Sequence, residues 1–319
     1  MRRPNRFFQT GILNHCYQRT KDGGLIFYSY SDYLVWFTIL CTEARKHGIQ
    51  ILALCPMPDH VHLSMVASTQ TEMARFMGEY SRQFTSQRNR FFGLKGELFC
   101  HRYGSAVKAG AKKGRTNLIY VWNNPVERQL VSKAEAYRWT FLAYAKSKHP
   151  FSEKLILNRA SKAVRAAVGE VSAQFRAGKP LNYAQLQRLF KPLAHGEKLQ
   201  LTDFIISTYN VMDYSAALQF FNGSYEQLLM ATHSNTGSEY DLNEPKTGKS
   251  DKPYLEMTRL LMQQLQLEDI HDILRLGPEQ KMNIFRYLDQ TTSCPPEQIA
   301  KFLNIPRESI HMYRHPKKR

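Results

Sequence analysis

Within its first third the chain switches between the period of a strand and the period of a helix in an order that few folds accept. Residues 9–18 and 49–54 contain β-prone runs. Between them, Asp32 to His47 opens on an acid, carries its apolar residues early and stops at Gly48. A glycine there suits a left-handed cap, and Arg45, Lys46 and His47 fall in the last turn, where the helix dipole favours cations. After a turn at Cys55-Pro56-Met57-Pro58, a further strand is expected from His60 to Val66. Thr69-Gln70-Thr71-Glu72 fits a capping box, and Met73, Phe76, Met77, Tyr80 and Phe84 recur at helical spacing. A strand region from Glu97 to Lys108, a basic loop and a helix carrying Tyr120 follow. Strand, helix, strand, strand, helix, strand is the ferredoxin-like alternation, so the expected class is α+β, an antiparallel sheet with helices on one face.

Two short stretches carry the chemistry. In Pro58-Asp59-His60-Val61-His62-Leu63 the histidines stand at i and i+2, so on a strand both point to one face while Val61 and Leu63 point to the other. They can converge on one metal ion; the alternative is a locally hydrogen-bonded, partly buried pair. In Tyr120-Val121-Trp122-Asn123-Asn124-Pro125 a phenol and an amide stand four apart, neighbours on one face of a helix. Tyr120 can present its hydroxyl there while Asn124 offers its side-chain oxygen to the same metal. Pro125 biases Asn124 away from helical geometry, which leaves Asn123 as the fallback ligand. Tyr80 is a rival nucleophile, but it lies in the apolar stripe of its own helix and reads as core.

His-hydrophobic-His in a Met-Pro-Asp-His-Val-His-Leu frame, then a basic stretch, then Tyr-x-x-x-Asn-Pro-Val, resembles the single-tyrosine HUH transposases, most of all the REP-associated tyrosine transposases. The resemblance covers residues 8–145. It implies a ferredoxin-like nuclease fold, His60 and His62 as metal ligands, Tyr120 as nucleophile and Asn124 as third ligand by position. It further implies a Mg²⁺ or Mn²⁺ ion, a covalent 5′-phosphotyrosine intermediate and single-stranded, hairpin-forming DNA as partner. Monomers and homodimers both occur in that group. A free tyrosine titrates near pH 10 and is a poor nucleophile at neutral pH until a base, a metal or nearby cations activate it. A replication initiator or relaxase-like nickase would use the same residues, and a non-enzymatic DNA-binding protein would keep only the basic surface.

Charge agrees with a polyanionic partner. The net charge is +17, and residues 1–150 hold 22 basic against nine acidic side chains; cations placed on phosphates release condensed counterions. Arg82 and Arg88, with Arg75 and Arg90 nearby, and Lys108, Lys112, Lys113 and Arg115 in the basic loop are expected to track a DNA backbone, with Tyr103 and Trp122 stacking on unpaired bases. The five cysteines are scattered and odd in number, with no C-x-x-C pair, and read as reduced thiols. With neither a signal peptide nor an apolar run long enough to span a bilayer, the expected place is the cytoplasm, at the nucleoid.

Past residue 150 the pattern turns helical and polar. The expected division is a nuclease/transposase domain over 1–150, a helical middle over 151–233, a linker over 234–253 and a helical domain over 254–319. In that last part, within Pro295 to Pro306, a short apolar helix that can start at a proline and ends at Asn304, and a second helix from Arg307 to Tyr313, have the spacing of a helix-turn-helix. Arg307, Ser309, His311 and Arg314 would read duplex DNA; a helical hairpin used for packing is the alternative.

Overall fold

The computed structural model describes residues 7–100, 102–242 and 249–306. Strands β1 (Asn14–Arg19), β2 (Gln50–Met57), β3 (His60–Val66) and β4 (Gly104–Val107) form an antiparallel sheet in the order β2-β3-β1-β4. Helix α1 (Tyr30–Lys46) joins β1 to β2, and α2 (Gln70–Phe92) joins β3 to β4. This is the ferredoxin-like arrangement expected from the sequence.

Register decides which side chains meet. Cys16 lies opposite Leu63, and Tyr17 opposite His62. Opposed residues share a face, so Cys16, Val61 and Leu63 join Trp36, Phe76 and Phe84 in the core beneath α1 and α2. His15, Tyr17, His60, His62 and Ser64 therefore face the other way. A third helix, α3 (Ala111–Glu127), covers that second face, with Leu118, Val121 and Trp122 packed on Ala53, Cys55 and Met57. Thr69 caps α2 by accepting from the Glu72 amide at 3.1 Å, the Thr69 half of the expected capping box, and Gly93 closes the helix at φ 64°.

Local boundaries differ for identifiable reasons. β2 runs through Cys55, Pro56 and Met57, where a turn was expected, because β2 is an edge strand and tolerates a residue without an N–H. β4 is shorter than expected. Lys112, Lys113 and Arg115 lie on the first turns of α3 instead of in a loop. Pro125 does not end that helix, which continues to Glu127 and so keeps Asn124 one turn from Tyr120.

The rest of the chain wraps this unit. Helices α4 (Lys162–Arg176), α5 (Tyr183–Phe190) and α6 (His195–Tyr209) extend the core under α1. Helices α7 (Tyr214–Gln219) and α8 (Tyr225–Ser234) pack beside α3. Residues 235–242 then run along α3. Asn123 donates to the carbonyls of Thr232 and Asn235, both at 2.7 Å. Helices α9 (Lys252–Gln264), α10 (Asp272–Arg275), α11 (Pro278–Thr291) and α12 (Pro296–Leu303) build a further core that takes in Leu25 and Tyr28. Asn304 closes α12 in the left-handed conformation, as expected. The second helix of the helix-turn-helix, with Arg307, Ser309, His311 and Arg314, lies outside the described residues.

Candidate active site

Two strands and one helix bring the site together. β3 presents His60 and His62 from one face, with their rings 4.7 Å apart between centroids. α3 lays Tyr120 across that face, 5.6 Å from the His62 ring and 5.8 Å from the ring of His15 on β1. The helix is seated by Ser64, whose hydroxyl donates to Asn117 Oδ1 at 2.7 Å. Asn124, one turn beyond Tyr120, gives its Nδ2 to the Tyr120 carbonyl at 3.0 Å and lies within hydrogen-bonding reach of His62. His60, His62, Tyr120 and Asn124, separated by up to 64 positions, thus share one place.

The residues fit a divalent cation. His60 Nδ1 bonds Asp59 Oδ1 at 2.5 Å, and His62 Nδ1 bonds His15 Nε2 at 3.1 Å. Both Nδ1 atoms are engaged by outer partners, so a cation would be held through the Nε2 atoms, an arrangement that fixes ring orientation in metal sites generally. With Nδ2 bonded to its own helix, Asn124 has Oδ1 as the atom it could offer to a cation. Imidazole nitrogens with an amide oxygen make a donor set suited to a mixed nitrogen and oxygen site. Burial, with His60 and His15 nearby, holds His62 well below the usual histidine range, in the neutral form that ligates. Burial would raise the Asp59 carboxyl, but His60 and Lys301 outweigh it and keep the group ionised. A separate cluster of Glu43, His47 and Glu79 also brings three ligand types together. There the Lys46 ammonium sits on both carboxylates, 3.3 Å from Glu43 and 2.5 Å from Glu79, where a metal would go.

The other expected residues divide. Tyr80 is fully buried and donates to Gln18 at 2.5 Å, a core tyrosine as the stripe implied. Asn123 spends its amide on the 232–235 backbone, which leaves Asn124 as the amide that could serve a metal. Trp122 is fully buried against Phe221, so its ring has no face for a base. Arg88 is buried beside Asp32 and Tyr28. Arg82 is exposed and lines a groove of about 920 Å³ with Gln18, Met77, Arg102 and Tyr103. Lys112, Lys113 and Arg115 are exposed at the start of α3. Lys108 is buried and bonded to Glu239 at 2.7 Å and Asp241 at 2.5 Å.

Sequence reasoning missed two residues here. His15 stands two before Tyr17 on a strand, so alternation puts those two on one face, and the strand register makes it the face of His60 and His62. Glu239 carries no local signal, yet it bonds His15 Nδ1 and takes a 3.5 Å contact from Asn117.

The antiparallel βαββαβ sheet thus sets a histidine pair beneath a helix-borne tyrosine. Residues 25–124 match the family described as transposase IS200 like, in keeping with the resemblance that the motifs carry. A solved structure, "Structure of the REP associates tyrosine transposase bound to a REP hairpin", is similar over 46% of this chain and 87% of its own, at 17% identity and a TM-score of 0.40. No curated protein matches the chain. Among the described residues no helix is long and apolar enough to cross a membrane, and all five cysteines are free thiols.

Proposed function

We propose that the protein cuts and rejoins single-stranded, hairpin-forming DNA through a covalent bond to Tyr120. The convergence of Tyr120, His60, His62 and Asn124 on one sheet face carries the reading. In the cleavage step the Tyr120 oxygen, its proton removed, attacks the scissile phosphorus. The bond to the 3′ oxygen breaks, that oxygen takes up a proton, and the 5′ phosphate stays on the tyrosine. Attack by another 3′-hydroxyl reverses the step, and the ester keeps the bond energy. A Mg²⁺ or Mn²⁺ ion on His60, His62 and Asn124 would supply Lewis-acid polarisation of the phosphate. The chain's own residues do the rest: α3 orients the phenol, and Asp59 and His15 hold the two imidazoles. Arg82, Lys112, Lys113 and Arg115 offer exposed cations to the strand.

Denaturing gels of the protein with labelled single-stranded hairpins and Mn²⁺ test this reading. Wild type is expected to give a covalent protein-DNA band that Tyr120→Phe and His60→Ala abolish. A hairpin library that binds without any such band would return the chain to the class of non-enzymatic DNA-binding proteins.

A further inference from the structure

The metal reading leaves one buried group without a task. Glu239 stands far along the chain from the nuclease motifs, on a segment with no regular secondary structure, yet its carboxylate lies inside the site. One oxygen bonds His15 Nδ1, and the other accepts from Lys108 at 2.7 Å. Burial works against its charge, but the bond to His15 and the Lys108 ammonium outweigh that and hold the carboxyl down to about 2. His15 in turn reaches His62 Nδ1 through Nε2 at 3.1 Å, with the two rings stacked at 26°.

The protons along this chain of bonds can be placed. A cation on His62 Nε2 requires the His62 proton on Nδ1, where it is donated to His15 Nε2. His15 then carries its own proton on Nδ1 and donates it to Glu239, a carboxylate that can only accept. Each ring nitrogen then has a partner, and the negative charge at the far end offsets the cation. His60 receives the same service from Asp59 directly. Resting on the metal reading above, we infer that Glu239 and His15 are positioning residues that hold His62 for metal ligation. The segment 235–242 therefore completes a centre that residues 25–124 do not complete alone. Partners of this kind are generally worth 10- to 100-fold in metal affinity.

The test is Mn²⁺ binding to the full-length protein without DNA, followed by loss of the free-ion electron paramagnetic resonance signal. Wild type is expected to bind and His62→Ala to lose the site. Glu239→Ala and His15→Phe should bind about 10- to 100-fold more weakly. Glu239→Gln, whose amide oxygen still accepts from His15, should recover much of the difference. Asp241→Ala, on the same segment but bonded to Lys108 and not to His15, should bind like wild type; it separates positioning from mere docking of the segment. Equal affinity in wild type and Glu239→Ala, with His62→Ala still defective, would overturn the inference and leave the metal site standing. Absence of Mn²⁺ binding in wild type would remove the metal site and the inference with it.

Discussion

His271 shows how much a single side chain can carry. It is fully buried, with Nε2 2.8 Å from Asp32 and Nδ1 2.5 Å from Asp269. Its ring stacks on Phe92, while Tyr183 donates to Asp32 from the other side and Arg88 lies close by. Burial alone would lower its titration, but Asp32 and Asp269 outweigh burial and raise it to about 9. A folded value above the ordinary 6.5 means that the contribution is complete below about pH 6.5 and is lost as pH rises through about 9. Thermal unfolding is therefore expected to show a loss on the order of 3 kcal/mol between pH 7 and pH 10. His271→Asn should be less stable at pH 7 and should flatten that dependence; an unchanged profile would place the charge elsewhere.

At the scale of elements, α3 is the part on which the site turns. Its inner face meets β2 and β3, and its outer side is lined so closely by residues 235–242 that there is no room for a side chain at Gly237. A Cβ there would lie 2.4 Å from the Tyr120 nitrogen and 2.6 Å from the Thr116 oxygen, and Gly237 stands at φ +76°. Gly237→Ala meets both a backbone overlap and a strained conformation, expected to cost on the order of 2 kcal/mol. Hydrogen exchange over 235–242 should rise in that variant while exchange in the sheet stays as in wild type. Unchanged protection of the segment would mean that it docks without this close approach.

For the whole molecule, the C-terminal helices matter as cover. Tyr120 is 5% exposed and His62 is fully buried. On the far side of the histidine pair Lys301 of α12 bonds Asp59, next to His60, and Asp251 holds Arg128 through its Nη2 at 2.5 Å. On the proposed function, a DNA strand would reach Tyr120 only when part of this cover parts. Single-stranded DNA that supports adduct formation is expected to deprotect α9 to α12 in hydrogen exchange while the sheet remains protected. Deprotection confined to 235–242 would instead make that segment the gate.

Much of this was legible in the amino-acid sequence, because it rests on short-range rules. Alternation on β3 places His60 and His62 on one face whatever the surroundings, the four-residue step on α3 pairs Tyr120 with Asn124, and the cap at Thr69 is written in four letters. The order of strands and helices then admits few topologies, and the ferredoxin-like sheet is among them. What tertiary structure alone decided are the relations between distant positions. The strand register turned His15 toward His62. Packing buried Trp122 against Phe221 and Arg88 beside Asp32 and Tyr28, two residues that their places in the sequence had assigned to nucleic acid. A segment that reads as a polar linker delivered Glu239 to a histidine 224 positions away. Local periodicity says which way a side chain points from its own element, but not which chain will lie opposite; that depends on how whole layers pack to bury their apolar faces.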